Sequence, residues 1–312
     1  MTNKILVTGH KGFIGRNLFR SIIQSVTADG DFANDGKNHP SWAIVGLEMD
    51  DYFTPDHTQS WQNRLSQYLF DNSPSVVFHV GAIADTLNTD VNFMMERNYE
   101  ASRIISDWCS FNNVPLIYSS SAACYGVGHG DSLPMNIYAW SKYVAEQYII
   151  QNGGIALRYF NVYGPFEEHK GAMASVAYQM YMKNLNGEKI KLFPDKPKRD
   201  FVHVDDVARA NLFAFTHYND LYGKVYDVGT GTPHEFEKIM ELLKIEYTYH
   251  DKSVIPEGYQ FYTSSDPYKW MPSWQPIYDL ENGIDHYKAY LNRELASGNY
   301  KRYLREQYKY GG

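Results

Sequence analysis

Apolar positions in this chain fall into short continuous runs separated by longer amphipathic or polar stretches. Residues 4–8, Lys-Ile-Leu-Val-Thr, read as a buried strand, and 42–47, 75–80 and 114–118 repeat the pattern. Helix-like stretches lie between them, one opening at Arg16-Asn17-Leu18-Phe19 and another running from Asn98 to Cys109. Strands alternating with helices predict a parallel sheet covered on both faces, with ligands at the carboxyl ends of the strands. Two later runs, 201–204 and 225–228, are expected to return to that sheet. Residues 27–40, rich in Gly, Asp and Asn, read as an inserted surface loop.

Chemistry-bearing residues cluster where these strands end. Gly9-His10-Lys11-Gly12-Phe13-Ile14-Gly15 follows the first strand at once and leads into the first helix. Glycines belong where a chain turns tightly and lets a pyrophosphate approach backbone N–H groups at a helix N-terminus. The second strand ends at Glu48, whose carboxylate can accept hydrogen bonds from an adenosine ribose; the inserted loop explains why it lies further on than usual. Asp50 and Asp51 follow, with no Arg or Lys beside them to meet a 2′-phosphate, which favours NAD. Lys11 in the glycine loop is the argument for NADP. The third strand leads into Gly81-Ala82-Ile83-Ala84-Asp85, small residues that allow close approach to a cofactor. The predicted fold is therefore α/β, a Rossmann-type doubly wound parallel sheet over residues 1–164. Strands from about 201–230 are expected to return to it, and 165–312 supply mainly a smaller C-terminal substrate-binding lobe.

The fourth strand runs into Ser119-Ser120-Ser121, and Tyr138-Ala-Trp-Ser-Lys142 follows shortly after. A Tyr and a Lys four apart share one helix face. A phenol is a poor base at neutral pH, and a neighbouring cation favours its phenolate. With Ser121 as a second hydrogen-bonding partner, the trio can take a proton from an alcohol whose carbon gives up a hydride. The spacing alone is weak in a chain with 27 Tyr; the glycine loop upstream gives it meaning.

The 312 residues suffice for a nucleotide-binding domain and a smaller lobe. A net charge of −7 argues against nucleic acid as the main partner. The two cysteines, Cys109 and Cys124, suit a reducing cytosol, and no signal peptide or membrane span is legible, so a cytoplasmic location and no membrane contact are expected. Cys124 lies beside the Ser run, but no His is placed to activate it, and it reads as packing. Tyr300 to Tyr310 reads as a solvated terminal helix. No metal site is expected.

With the glycine loop, Ser121 and the Tyr138/Lys142 pair in this order, the chain resembles an extended short-chain dehydrogenase/reductase. Two further segments, Arg158-Tyr-Phe-Asn-Val-Tyr-Gly-Pro-Phe-Glu-Glu-His-Lys170-Gly-Ala-Met-Ala-Ser-Val-Ala177 and Lys198-Arg-Asp-Phe-Val-His-Val-Asp-Asp-Val-Ala208, resemble the ADP-L-glycero-D-manno-heptose 6-epimerases within that family. The resemblance spans about residues 4–295. It implies a nucleotide-sugar epimerase with tightly bound NAD or NADP (NADP by family habit), a nucleotide-diphosphate sugar substrate and a homo-oligomer. Phe13 and Ile14 would then lie at the pyrophosphate and Glu48 at the ribose. Gly81, Ala82, Ile83, Ala84, Asp85 and Asn98 would line the cofactor, with Tyr138 and Lys142 at its nicotinamide. Asn161 and Val162 would touch substrate and cofactor, and Lys170 would be a second acid/base. Phe193, Arg199 and Tyr259 would hold the nucleotide-sugar; a guanidinium suits diphosphate oxygens. Alternatively Lys170 is a diphosphate contact or a solvated cation, and Arg199 pairs with Asp200 or Asp205.

Two positions depart from the heptose pattern. Ala172 stands where those enzymes carry a substrate-binding Ser, and Gln179 where they carry a His. Inverting a carbinol centre requires that the ketone turn over in its pocket or that a second proton donor stand opposite the first. Tyr138 and Lys170 are the expected pair. A 4,6-dehydratase is disfavoured because Ala122-Ala123, not an acid pair, follows Ser121. A 4-epimerase or epimerase-reductase using Tyr138 alone remains the nearest alternative. A non-catalytic dinucleotide-binding protein would have no use for Ser121, Tyr138 and Lys142.

Overall fold

The computed structural model describes residues 3–27, 42–55, 58–126, 133–254 and 260–298. The inserted segment beyond Thr27, Tyr259 and the tail from Tyr300 lie outside the described residues. Six parallel strands form the main sheet: β1 (Asn3–Thr8), β2 (Trp42–Leu47), β3 (Val76–His79), β4 (Leu116–Ser121), β5 (Ile155–Tyr159) and one later strand. Next in the chain come β6 (Asn161–Tyr163), β7 (Lys191–Leu192), β8 (Lys198–His203), β9 (Val225–Val228), β10 (Pro233–Glu235) and β11 (Thr248–Tyr249). The order in the main sheet is β2-β1-β3-β4-β5-β9, so the chain changes direction across the sheet between β1 and β3. Such a switch leaves a crevice beyond the strands' carboxyl ends.

Alternating side chains on each strand explain why the runs are continuously apolar. Ile5 and Val7 of β1 face one layer, with Leu18 and Ile22 of the helix Phe13–Thr27 and Val207, Ala210 and Ala214 of the helix Val204–Thr216. Leu6 faces the other, with Leu65 and Leu69 of Trp61–Asn72, Ile105 of Ala101–Asn112 and Ile149 of Ile137–Gln151. Helices thus cover both faces, giving a Rossmann-type α/β fold.

The expected return of 225–228 occurs as β9, paired with β5. The run read at 201–204 is different. Its strand is β8, ending at His203, and it joins β6 and β10 in a separate three-stranded sheet. The apolar residues Phe201 and Val202 serve two cores, Val202 the main one and Phe201 a second. That second core is rich in tyrosine and joins Val176–Leu185, Phe236–Leu243 and Leu280–Ala296. No helix among the described residues is long and apolar enough to cross a membrane.

Candidate active site

The glycine loop turns at Gly9, whose φ of +66° suits a residue without Cβ. A Cβ there would also meet Gly81 Cα at 2.6 Å, so the turns after β1 and β3 touch. Gly15 is more constrained still: its Cβ would lie 2.0 Å from Gly9 O. Only with glycine at both positions can helix and loop pack this closely. Beside them runs a cleft of about 320 Å³ lined by Gly9, Gly12, Phe13, Ile14, Gly15, Glu48, Gly81, Ala82 and Ala84, and by Tyr138, Lys142 and Lys170 at its inner end. A backbone-lined trough at a helix start, at the sheet's switch point, fits a dinucleotide.

Glu48 stands at the rim, where its Oε1 accepts from Lys11 N at 2.7 Å and lies 2.9 Å from His10 Nδ1. The carboxylate therefore braces the glycine loop as well as facing the cleft. Lys11 is exposed and lies outside the lining. Asn98 is behind the cleft, not in it. Its amide donates to Ile83 O (3.0 Å) and Ser141 Oγ (2.9 Å) and accepts from Ile83 N (2.8 Å). It fixes the 81–85 turn against the helix that carries Tyr138. Ile83 is the residue so held, and Asp85 caps its own turn through Leu87 N at 2.9 Å.

Tyr138 and Lys142 lie on Ile137–Gln151, whose N-cap Asn136 accepts from Ala139 N at 2.8 Å. The Ser triplet is the end of β4 rather than a loop, so its side chains diverge. Ser119 Oγ meets Tyr159 Oη at 2.8 Å, Ser120 donates to the buried Glu146 carboxylate at 2.6 Å, and Ser121 reaches Tyr138. Glu146 in turn takes a bidentate Arg158 at 2.6 and 2.8 Å. Burial raises the Tyr138 phenol to about 12, with Ser121 pulling the other way. Burial lowers the Lys142 ammonium to about 7, against Cys124 and Glu146. Its Nζ sits 4.2 Å from the Tyr118 ring centroid. Enclosure and Cys124 raise the phenol, and Ser121 is the neighbour that offsets them. Burial also raises the Cys124 thiol to about 11, which suits packing rather than a nucleophile.

Lys142 carries a stability prediction. A lysine with a lowered folded-state pKa binds fewer protons folded than unfolded between about pH 7 and its ordinary value, so its contribution to stability rises with pH there. Thermal melts of the cofactor-free protein should therefore lose part of their rise from neutral to alkaline pH in Lys142→Met. An unchanged slope would contradict the burial of this charge.

A second cleft of about 390 Å³ adjoins the first and shares Phe13, Ile14, Ala84, Tyr138 and Lys170 with it. Ser121, Asn161, Val162 and Arg199 line only this side. Ala122 and Ala123 also line it, and bring no acid beside Ser121. Lys170 rides on the short helical turn Glu168–Met173, its Nζ 5.1 Å from the Phe13 ring centroid. Burial lowers its pKa and Glu167 opposes that shift. Arg199 Nη1 donates to Lys198 O at 3.0 Å. Asp200 beside it is occupied elsewhere, accepting from Thr230, Gly231 and Ser265.

The two departing positions touch each other: Gln179 Nε2 donates to Ala172 O at 3.1 Å and to Ala174 O at 2.7 Å. Neither residue lines the cleft, although Met173, Ala174 and Ser175 do. Phe193 packs near His250, ring centroids 5.9 Å apart, and lies outside the lining. Gln260, Thr263, Phe236 and Thr86 are cleft residues that no local motif marks. Elsewhere, His203, Asp205 and His286 form a group with metal-ligand side chains. His203 Nδ1 accepts from Asp205 N at 3.2 Å, which leaves the ring proton on Nε2, 3.3 Å from His286 Nδ1. That is a helix cap extended by one hydrogen bond.

Residues 5–229 match the model of the NAD dependent epimerase/dehydratase family. The ADP-L-glycero-D-manno-heptose-6-epimerase of Brachyspira hyodysenteriae is 32% identical over an alignment covering 95% of this chain and 99% of that protein. Among solved structures, the Helicobacter pylori ADP-L-glycero-D-manno-heptose-6-epimerase is similar, with TM-score 0.75, 26% identity and coverage of 93% and 96% of the two chains. The Thermotoga maritima UDP-glucose 4-epimerase with UDP-glucose shares the fold at TM-score 0.74, 24% identity and coverage of 94% and 99%. The glycine-loop cleft, the Ser121, Tyr138 and Lys142 side chains beside it and these likenesses agree: the chain belongs to the NAD dependent epimerase/dehydratase family.

Proposed function

We propose that the protein is a nucleotide-sugar epimerase that inverts a secondary alcohol, with C6 of an ADP-heptose as its first candidate substrate. The observation that carries this reading is that Tyr138 and Lys170 both stand where the two clefts join. A sugar in the second cleft would present its carbinol there, with a proton-transfer group available from each side. The first cleft, with Gly9, Gly12, Gly15 and Glu48 in its lining, would hold a nicotinamide dinucleotide, which would supply a reversible hydride acceptor for the alcohol carbon. Tyr138 and Ser121 would hold the alcohol oxygen, and Tyr138 would take its proton. Lys142, one helical turn along the same face, would favour the phenolate and bind the ribose. Lys170 would serve the opposite orientation. Arg199, which lines the sugar cleft, suits the diphosphate. In this arrangement residues 1–164 with β9 hold the cofactor, and 165–312 supply mainly the sugar side.

Glu48 at the rim favours NAD over NADP, and family resemblance favours a homo-oligomer in the cytoplasm. Gln179 is tied to backbone carbonyls and Ala172 offers no hydroxyl, which keeps a one-base 4-epimerase of another nucleotide-sugar as the second reading. Mass spectrometry of co-purified cofactor, followed by a panel of nucleotide-sugars assayed for inversion at C6 and C4, tests the proposal. ADP-heptose inversion is expected, and Lys170→Ala should slow it at least tenfold. Turnover largely intact in Lys170→Ala would favour the one-base reading; inversion of another sugar only would reject the heptose.

A further inference from the structure

Glu167 is wholly buried, a costly place for a carboxylate unless its oxygens are satisfied and its charge is used. Its oxygens accept from Ser175 N, from Ser175 Oγ at 2.7 Å and from Gly164 N at 3.3 Å. These donors are the two ends of the loop that carries Lys170. Gly164 follows β6, which brings Asn161 and Val162 to the sugar cleft. Ser175 caps the helix Val176–Leu185, accepting from Tyr178 N at 3.2 Å. Within the loop, Lys170 N donates to Glu167 O at 3.0 Å. One side chain thus closes the loop at its base while its own carbonyl anchors the backbone of Lys170. The electrostatic coupling runs both ways: Glu167 sustains the Lys170 ammonium against burial, and Lys170 sustains the Glu167 carboxylate.

We infer that Glu167 is a positioning residue for Lys170, holding closed the loop that carries it. The inference rests on the epimerase reading and deepens it by making the site asymmetric. Oxidation of one epimer depends on Tyr138; oxidation of the other depends on Lys170 and therefore on Glu167. A purely structural residue would affect both alike.

The test uses the holoenzyme and the two epimers of whichever nucleotide-sugar the wild type interconverts. Each is mixed separately with enzyme, and the single-turnover rise in reduced-nicotinamide absorbance is followed. Glu167→Gln should slow oxidation of one epimer about 10–100-fold and leave the other within about twofold, the same epimer being slowed in Lys170→Gln. The preserved half-reaction also reports that the variant is folded. Glu167→Asp keeps the charge with a shorter reach and should recover the slowed epimer in part; it decides the matter if Glu167→Gln does not fold. Equal slowing of both epimers, or no slowing of either, overturns the assignment. If the wild type oxidises neither epimer, the epimerase reading itself fails, and this inference with it.

Discussion

Tyr138→Phe should lower inversion about 10²–10⁴-fold while leaving the cofactor bound. The change removes one oxygen and keeps the ring, so packing on Ile137–Gln151 is preserved. What disappears is the group that would take the carbinol proton. Tyr159, another phenol lining both clefts, is also raised to about 12 and is held by Ser119 and Asn211, so it is no ready substitute. Ser121, the neighbouring aliphatic hydroxyl, is harder still to deprotonate. Cofactor content by mass spectrometry, measured beside turnover, separates the two functions. A non-catalytic dinucleotide-binding protein would show no dependence on this oxygen.

Gly15→Ala should damage cofactor retention and stability together. The added methyl would fall 2.0 Å from Gly9 O and 2.7 Å from Gly9 C, both backbone atoms that no rotamer change can move aside. Relief requires the helix Phe13–Thr27 to retreat from the loop, at a cost of about 1–3 kcal/mol or more. That retreat displaces the backbone where Gly12, Phe13 and Ile14 border the cleft. Gly12→Ala is the internal comparison, since its Cβ would meet Gly9 O at 3.3 Å, a contact that a small shift relieves. The predicted order in melting temperature and in cofactor retained through purification is wild type, Gly12→Ala, Gly15→Ala. Equal behaviour of the two variants would contradict the close helix-to-loop packing.

Much of this was legible because it is local. A glycine loop between strand and helix, and a Tyr and Lys one turn apart, need only a few neighbouring residues to be recognised. Apolar runs buried on both faces announced the parallel strands for the same reason. What escaped depends on which distant segments meet. Residues 201–204 read as another strand of the main sheet because Phe201 and Val202 are apolar, yet adjacent side chains point to opposite faces and here serve two different cores. Asn98 has the position of a cofactor residue, but its amide is consumed by Ile83 and Ser141. Gln260, Thr263 and Phe236 reach the second cleft through long-range folding. Glu167 lay inside the segment that carried the resemblance, and only its burial and its bonds to Gly164 and Ser175 set it apart.

The central claim is that one carbon loses a hydride and regains the same hydride on its other face, with no exchange into water. Inversion of unlabelled nucleotide-sugar in deuterated water, followed by NMR of the product, tests it most directly. The account predicts that the inverted carbon keeps its original hydrogen, with deuterium confined to exchangeable hydroxyls and to positions beside a transient ketone. Deuterium at the inverted carbon itself would contradict it.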